Sequence, residues 1–149
     1  MELKKTIKTF DELTKEELYR VFKLRSEVFV VEQNCVYNDF DEKDRKAIHI
    51  LIMDENSGDI VAYSRIFEIN WEFASFGRVC VKKEFRKKGL GKELVAGTID
   101  NIKKNYSQKK IFIEAQNYLQ KFYESFGFKK TSDVYLEDGI PHINMILEM

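Results

Sequence analysis

FGRVCVKKEFRKKGLGKEL, residues 76–94, decides how this chain folds. Phe76 to Val81 alternates as a strand, a short basic turn follows, and a helix begins at about Gly91. The turn carries Arg86, Lys87, Lys88, Gly89, Leu90 and Gly91, with Lys92 next in line. Two glycines let the backbone turn tightly and approach a ligand with no Cβ in the way. The amides of a helix's first turn have no partner inside the helix. Together with the helix dipole they form an anion site, and phosphate is its usual guest. An exposed dipole supplies only about 0.3–1 kcal/mol per charge. Several converging N–H groups and a guanidinium must therefore provide most of the grip.

Two common phosphate motifs do not fit. A P-loop needs GxxxxGK[ST], but Lys92 is followed by Glu93 and position 86 is not glycine. A dinucleotide fingerprint needs a small residue where Leu94 stands. The remaining pattern is Arg86-x-x-Gly89-x-Gly91 after a strand. Read without context, it is also what a lysine-rich loop closed by glycine looks like.

Outward from this stretch, the 149 residues fit a single domain spanning 1–149. A domain of that size buries roughly 68–70% of its unfolded surface and needs no disulfide or metal to hold a core. With 44% hydrophobic, 13% aromatic and 34% charged residues, a packed globule is expected. The net charge of zero speaks against a nucleic-acid or membrane-surface role. The basic residues Lys82, Lys83, Arg86, Lys87, Lys88 and Lys92 nevertheless crowd together, so a local positive mouth suits one small polyanion. No leader or long apolar run opens the chain, and Cys35 and Cys80 fall in different predicted elements. A cytoplasmic protein with free thiols is expected.

The other elements follow from periodicity. Leu3 to Phe10 alternates weakly as a first strand. Thr14 and Glu17 make a capping box, and Leu18, Val21, Phe22, Arg25, Val28 and Phe29 form a helical stripe facing the core. Val30 to Asp44 reads as a solvated acidic loop; Asp39, Asp41 and Asp44 lack the spacing and glycine of an EF-hand, so no metal is expected. Ala47–Asp54 and Asp59–Phe67 are strands joined at Asn56-Ser57-Gly58. Glu68 to Ser75 is a loop carrying Trp71. The helix from Gly91 runs to about Asn105, Lys110–Ala115 is a buried strand, and Asn117–Phe126 is a helix stopped by Gly127. Ser132–Glu137 and Ile140–Leu147 form a hairpin around Asp138-Gly139. The order is β-α-β-β-β-α-β-α-β-β. It predicts an α/β (α+β) fold with a mixed, mostly antiparallel sheet of six to seven strands flanked by helices.

A second segment carries chemistry: Asn117-Tyr-Leu-Gln-Lys-Phe122-Tyr123-Glu-Ser-Phe-Gly127-Phe128. Taken with Arg86-x-x-Gly89-x-Gly91 upstream, it resembles the acetyl-CoA half of the GNAT family of N-acetyltransferases. Leu24-Arg25-x-x-Val28-Phe29-Val30-Val31-Glu32-Gln33, then Cys35, Tyr37, Asp41, Asp44 and His49, is similar to the ElaA-like subgroup, as is Tyr135-x-Glu137-Asp138-Gly139-Ile140-Pro141-His142. The resemblance covers about Leu24 to Met145. It departs at Lys88, where many relatives carry a smaller residue.

The resemblance implies a sheet splayed between its fourth and fifth strands. The pantetheine arm of the cosubstrate acetyl-CoA would pass through the gap and pair with the backbone of Val79, Cys80 and Val81. Arg86 to Lys92 would hold the diphosphate, and Asn117 would contact the cofactor. The hydroxyl of Tyr123 would face the sulfur as general acid. Acetyl would move directly to a primary amine, on a small molecule or a peptide. Cys80 has no basic partner to make it a thiolate nucleophile and reads as a small buried hydrophobe. Base candidates for the amine are Glu32, Glu114, His49 and His142, with Glu32 and His142 leading. An acetyl-CoA-binding module of the same fold without turnover is the alternative. Relatives are commonly dimers, so a homodimer is compatible with the resemblance.

Overall fold

The computed structural model describes residues 2–149. β1 (Leu3–Thr9) leads to α1 (Lys15–Arg25), whose N-terminus is fixed by the predicted capping box. Thr14 Oγ1 accepts the Glu17 N–H at 3.0 Å, and Glu17 Oε1 accepts the Thr14 N–H at 2.9 Å. The helix continues as a π-helical segment, Ser26–Glu32, and a short α2 (Lys43–Lys46) follows the acidic loop. Then come β2 (Ile48–Asp54), β3 (Ile60–Glu68), β4 (Phe73–Val81), α3 (Leu90–Asn105) and β5 (Lys110–Gln116). A short α4 (Gln120–Glu124) precedes β6 (Lys129–Lys130), β7 (Tyr135–Glu137) and β8 (Ile140–Glu148).

The strands form one mixed sheet in the order β1-β2-β3-β4-β5-β8-β6, with β7 also on β8. Among the described residues, eight strands replace the six to seven expected. The addition is β6, two residues long, too short to leave a periodic signal. The expected loop at Glu68–Ser75 also shrinks, because β4 begins at Phe73. Every pairing is antiparallel except β4–β5, which is parallel and closes over only two registers, Phe73↔Lys110 and Ala74↔Ile111. Beyond Ala74 the two strands part, so the sheet is splayed between its fourth and fifth strands.

Each face has its own core. Under α3 and α4 lie Ile50, Ile66, Phe76, Leu94, Val95, Ile99, Ile111, Ile113 and Phe128; under α1 lie Val21, Leu24, Val28, Leu51, Tyr63 and Cys80. Burying each large aliphatic or aromatic side chain contributes roughly 1.5–3 kcal/mol. Among the described residues no helix is long and apolar enough to cross a membrane.

The solvated acidic loop expected at Val30–Asp44 is corrected. Asp39 and Asp44 are only 4% and 3% exposed, because three arginines reach them from the sheet and α1. Arg25, fully buried, donates from Nε to Asp39 Oδ2 at 2.8 Å and from Nη1 to Asp44 Oδ1 at 2.6 Å. Arg65 donates to Asp44 Oδ1 at 2.8 Å and also pairs with Asp41, and Arg78 Nε lies 2.8 Å from Asp39 Oδ1. The sequence signal was Arg25 itself, a charged residue on the core-facing stripe of a helix, which demands a buried partner.

Candidate active site

One cleft of about 1650 Å³ runs through the splay. Its walls are the divergent ends of β4 and β5, the turn before α3, the π-helical segment and the β7–β8 hairpin. β4 reaches the cleft through a bulge. Tyr63 pairs with Cys80 and Arg65 with Gly77, so Ser64 faces two residues, Arg78 and Val79. Arg78 takes a left-handed φ of 50°, a conformation that costs a non-glycine residue roughly 1–2 kcal/mol. Its guanidinium, anchored on Asp39, holds it there. A bulge disrupts the ladder and bends the strand, and the other edge of β4, facing the gap, pairs with β5 only at Phe73 and Ala74.

At one mouth the chain reverses into α3. Lys87 has φ 64° and Gly89, the N-cap, φ 77°. No side chain caps the helix, so its first-turn amides keep their hydrogens for a ligand. A Cβ at Gly89 would meet nothing within 4 Å, so backbone conformation alone demands glycine there.

Arg86 is not a free guanidinium. Its Nε donates to Val81 O at 2.9 Å and its Nη2 to Glu32 Oε1 at 2.8 Å, while Nη1 pairs with Glu32 Oε2. The arginine is thereby aimed across the mouth. The same pair holds the Glu32 carboxyl below the usual carboxylate range, chiefly through the Arg86 hydrogen bond.

Midway along the cleft stands Tyr123, 5% exposed, its ring centroid 6.3 Å from Phe76, 5.1 Å from Phe122 and 5.9 Å from Phe128. This aromatic collar buries the ring and pushes the phenol pKa well up, so the hydroxyl stays protonated at any working pH. Cys80 is buried and its thiol is likewise pushed up by desolvation, so it is a poor thiolate nucleophile.

Beyond Tyr123 the cleft opens between the π-helical segment and the β7–β8 hairpin. Gln116 Nε2 donates to Gln33 Oε1 at 3.3 Å across it. Cys35 Sγ donates to Asp138 O at 3.3 Å, tying the acidic loop to the hairpin turn. His142 and Glu114 line this part of the wall.

Of the residues predicted from sequence, Glu32, Val79, Cys80, Val81, Arg86, Lys87, Gly89, Leu90, Gly91, Tyr123 and His142 all line this cleft. Lys88, Lys92 and Asn117 lie outside its lining. The Lys88 ammonium sits over the Phe85 ring at 5.6 Å, and Lys92 is exposed on α3. Asn117 opens a 3-10 turn, Asn117–Leu119, where its carbonyl accepts the Gln120 N–H. His49 is also outside: it is 1% exposed, with Nε2 2.8 Å from Asp44 O and Nδ1 bonded to the Tyr63 hydroxyl. Burial drives its pKa down, and it reads as a satisfied core histidine. Reasoning from sequence missed the Arg78 bulge, whose one local mark is Gly77, an isolated glycine inside a strand run.

The geometry is matched by the kinship of the chain. Residues 8–149 fit the family model described as an acetyltransferase (GNAT) domain. A UPF0039 protein of Schizosaccharomyces pombe is 43% identical over 143 residues, 95% of each chain. Protein ElaA of Escherichia coli is 39% identical over 140 residues, 93% of this chain and 92% of ElaA. The crystal structure of E. coli ElaA superposes with a TM-score of 0.91 at 37% identity, covering 99% of this chain and 100% of that one. An acyl-CoA N-acyltransferase from Pseudomonas aeruginosa gives 0.89 at 34% identity, covering 97% and 99%. The chain belongs to the GNAT acetyltransferase family, whose fold supports acyl transfer, and within that family it is ElaA-like.

Proposed function

We propose that this chain is an N-acetyltransferase that moves acetyl from acetyl-CoA directly to a primary amine. The observation that carries this reading is a single cleft that joins three things. It has unpartnered helix amides at one mouth, a protonated tyrosine midway and an open wall beyond. The name borne by the Pseudomonas relative, an acyl-CoA N-acyltransferase, supports the cosubstrate class.

In this reading the first-turn amides of α3 and the Arg86 guanidinium take the diphosphate of CoA, a charge-assisted arrangement. The pantetheine arm lies in the splay against Val79, Cys80 and Val81. A backbone N–H on the β4 edge beyond Ala74 polarises the thioester carbonyl, which is where charge develops in the tetrahedral intermediate. Tyr123 faces the sulfur. A thiol has a pKa near 8.5 and an ordinary phenol one near 10. With the phenol raised further by burial, full proton transfer to the thiolate is still more uphill. Tyr123 therefore acts by donating a strong hydrogen bond to the departing sulfur.

The acceptor must arrive as a neutral amine. An alkylammonium near pKa 10.4 costs about 4.6 kcal/mol to deprotonate at pH 7, so a base is required. Glu32, pinned by Arg86 and weakened as a base, instead orients the guanidinium. His142 lies in the wall of the open end, where the acceptor enters. Two free, buried cysteines suit a reducing cytoplasm.

CoA release measured with acetyl-CoA against a panel of small amines and peptides tests the proposal. Amine-dependent thiol release is expected from at least one acceptor. Tight acetyl-CoA binding with no release above background would leave a binding module instead.

A further inference from the structure

Three titratable side chains meet at the open end of the cleft from three different strands: Glu114 on β5, Glu137 on β7 and His142 on β8. The β5–β8 and β7–β8 registers bring them together, pairing Gln116 and Tyr135 each with His142. His142 Nδ1 donates to Ile140 O at 2.7 Å, which turns Nε2 toward the Glu137 carboxyl. That nitrogen lies 3.5 Å from Glu137 Oε2. The Tyr135 ring stacks on the imidazole, centroids 6.1 Å apart at 27°, and holds its plane. The His142 side chain is 11% exposed and that of Glu137 44%. Both line the cleft, and Glu137 is the more exposed of the two.

We infer that Glu137 is the catalytic base that takes the proton from the acceptor's ammonium group, with Glu114 and His142 positioning it. The inference rests on the N-acetyltransferase reading above. Glu137 carboxylate takes one proton from R–NH3⁺; the freed amine forms the C–N bond as the C–S bond breaks. The sulfur, hydrogen-bonded by Tyr123, collects the second nitrogen proton, and Glu137 returns its own to water. The products are the N-acetyl amine, CoA thiol and one proton.

The surroundings suit the task. Burial pushes the Glu137 carboxyl up, the neighbouring Glu114 and then Asp138 add to the push, and His142 opposes it. Tyr135, the remaining titratable neighbour, is itself pushed up to about 12 by burial and by Glu114 and Glu137. Among the described residues no arginine or lysine pairs with Glu137, in contrast to Glu32. A carboxylate with a raised pKa is a stronger base yet remains ionised above its own titration.

Two measurements test this. In the free protein, ¹³C-carboxyl NMR should show the Glu137 titration moving to lower pH in Glu114→Gln; an unmoved midpoint overturns the inference. With any amine the wild type accepts, Glu137→Gln should lower kcat by about 10²-fold or more. It should abolish the acid limb of the pH–kcat/KM profile and leave acetyl-CoA affinity unchanged. In Glu114→Gln that limb should shift to lower pH. If the wild type turns over and Glu137→Gln matches it, the assignment of Glu137 alone falls. If the wild type acetylates no amine, the N-acetyltransferase reading falls and takes the inference with it.

Discussion

Two clusters of charge flank the same cleft and are built on opposite rules. Beneath the loop before β2, the cations Arg25, Arg65 and Arg78 face the anions Asp39, Asp41 and Asp44, so the charge cancels inside the protein. At the β7–β8 hairpin, Glu114, Glu137 and Asp138 gather around one imidazole, and no arginine or lysine balances them among the described residues. A neutralised network fixes shape, because each member is costly to leave unpaired. An unbalanced group keeps its proton affinity near the range where it can exchange with substrate. The first cluster holds the bulge and the acceptor wall in place, and the second is left able to titrate.

The strongest break of that contrast is Arg25→Met. It takes one cation from each of Asp39 and Asp44, leaving them Arg78 and Arg65, and loss of one partner of a buried pair costs roughly 3–5 kcal/mol. Urea unfolding should show a loss of that size; a loss under about 1 kcal/mol would mean the network is dispensable. Tyr123→Phe should do the reverse, sparing stability while lowering turnover about 10²-fold with acetyl-CoA affinity nearly unchanged. Steady-state kinetics beside calorimetry would separate the two, and equal turnover would remove Tyr123 from the chemistry.

Acid sharpens the comparison further. Burial would raise Asp41, but Arg65 and Arg78 outweigh it and hold its carboxyl at about 2, below the ordinary 3.8; Asp44 is lowered by Arg25 in the same way. His49 is lowered by burial from 6.5. All three bind protons more readily when unfolded, so each contributes stability that is whole above its unfolded pKa and lost as pH falls through its folded one. The midpoint of thermal unfolding should therefore fall progressively from about pH 6.5 down to pH 2. A flat profile over that window would contradict the network's role. The smallest effect belongs to the mouth. Glu32→Gln removes a negative charge beside the proposed diphosphate site, and CoA affinity should rise about 2- to 5-fold, the scale of an exposed ion pair. A fall would show that Glu32 serves mainly to hold Arg86 in place.

The same division explains what was legible in the sequence. Elements dictated by neighbouring residues came through: the Thr14–Glu17 box, the Gly89 turn, the hairpin at Asp138-Gly139 and the order of strands around the splay. Arg86 and Tyr123, both in the cleft wall, each sit inside a short motif whose spacing is fixed by one turn or one helix. What depends on distant partners was not legible. Asp39 and Asp44 look solvated until β3 and α1 bring Arg65 and Arg25 onto them, and Glu32 looks like a free base until Arg86, 54 residues away, closes on it. Glu137 was visible only as part of a familiar segment, since the environment that raises its carboxyl depends on Glu114 from another strand.

The central claim is that the β4–β5 splay admits the arm of a CoA whose diphosphate sits on the amides of Lys87–Gly91. A crystal structure with CoA tests it most directly. The account predicts the diphosphate at the start of α3 and the sulfur within hydrogen-bond reach of the Tyr123 hydroxyl. CoA bound elsewhere, or a splay left empty at saturating CoA, would contradict it.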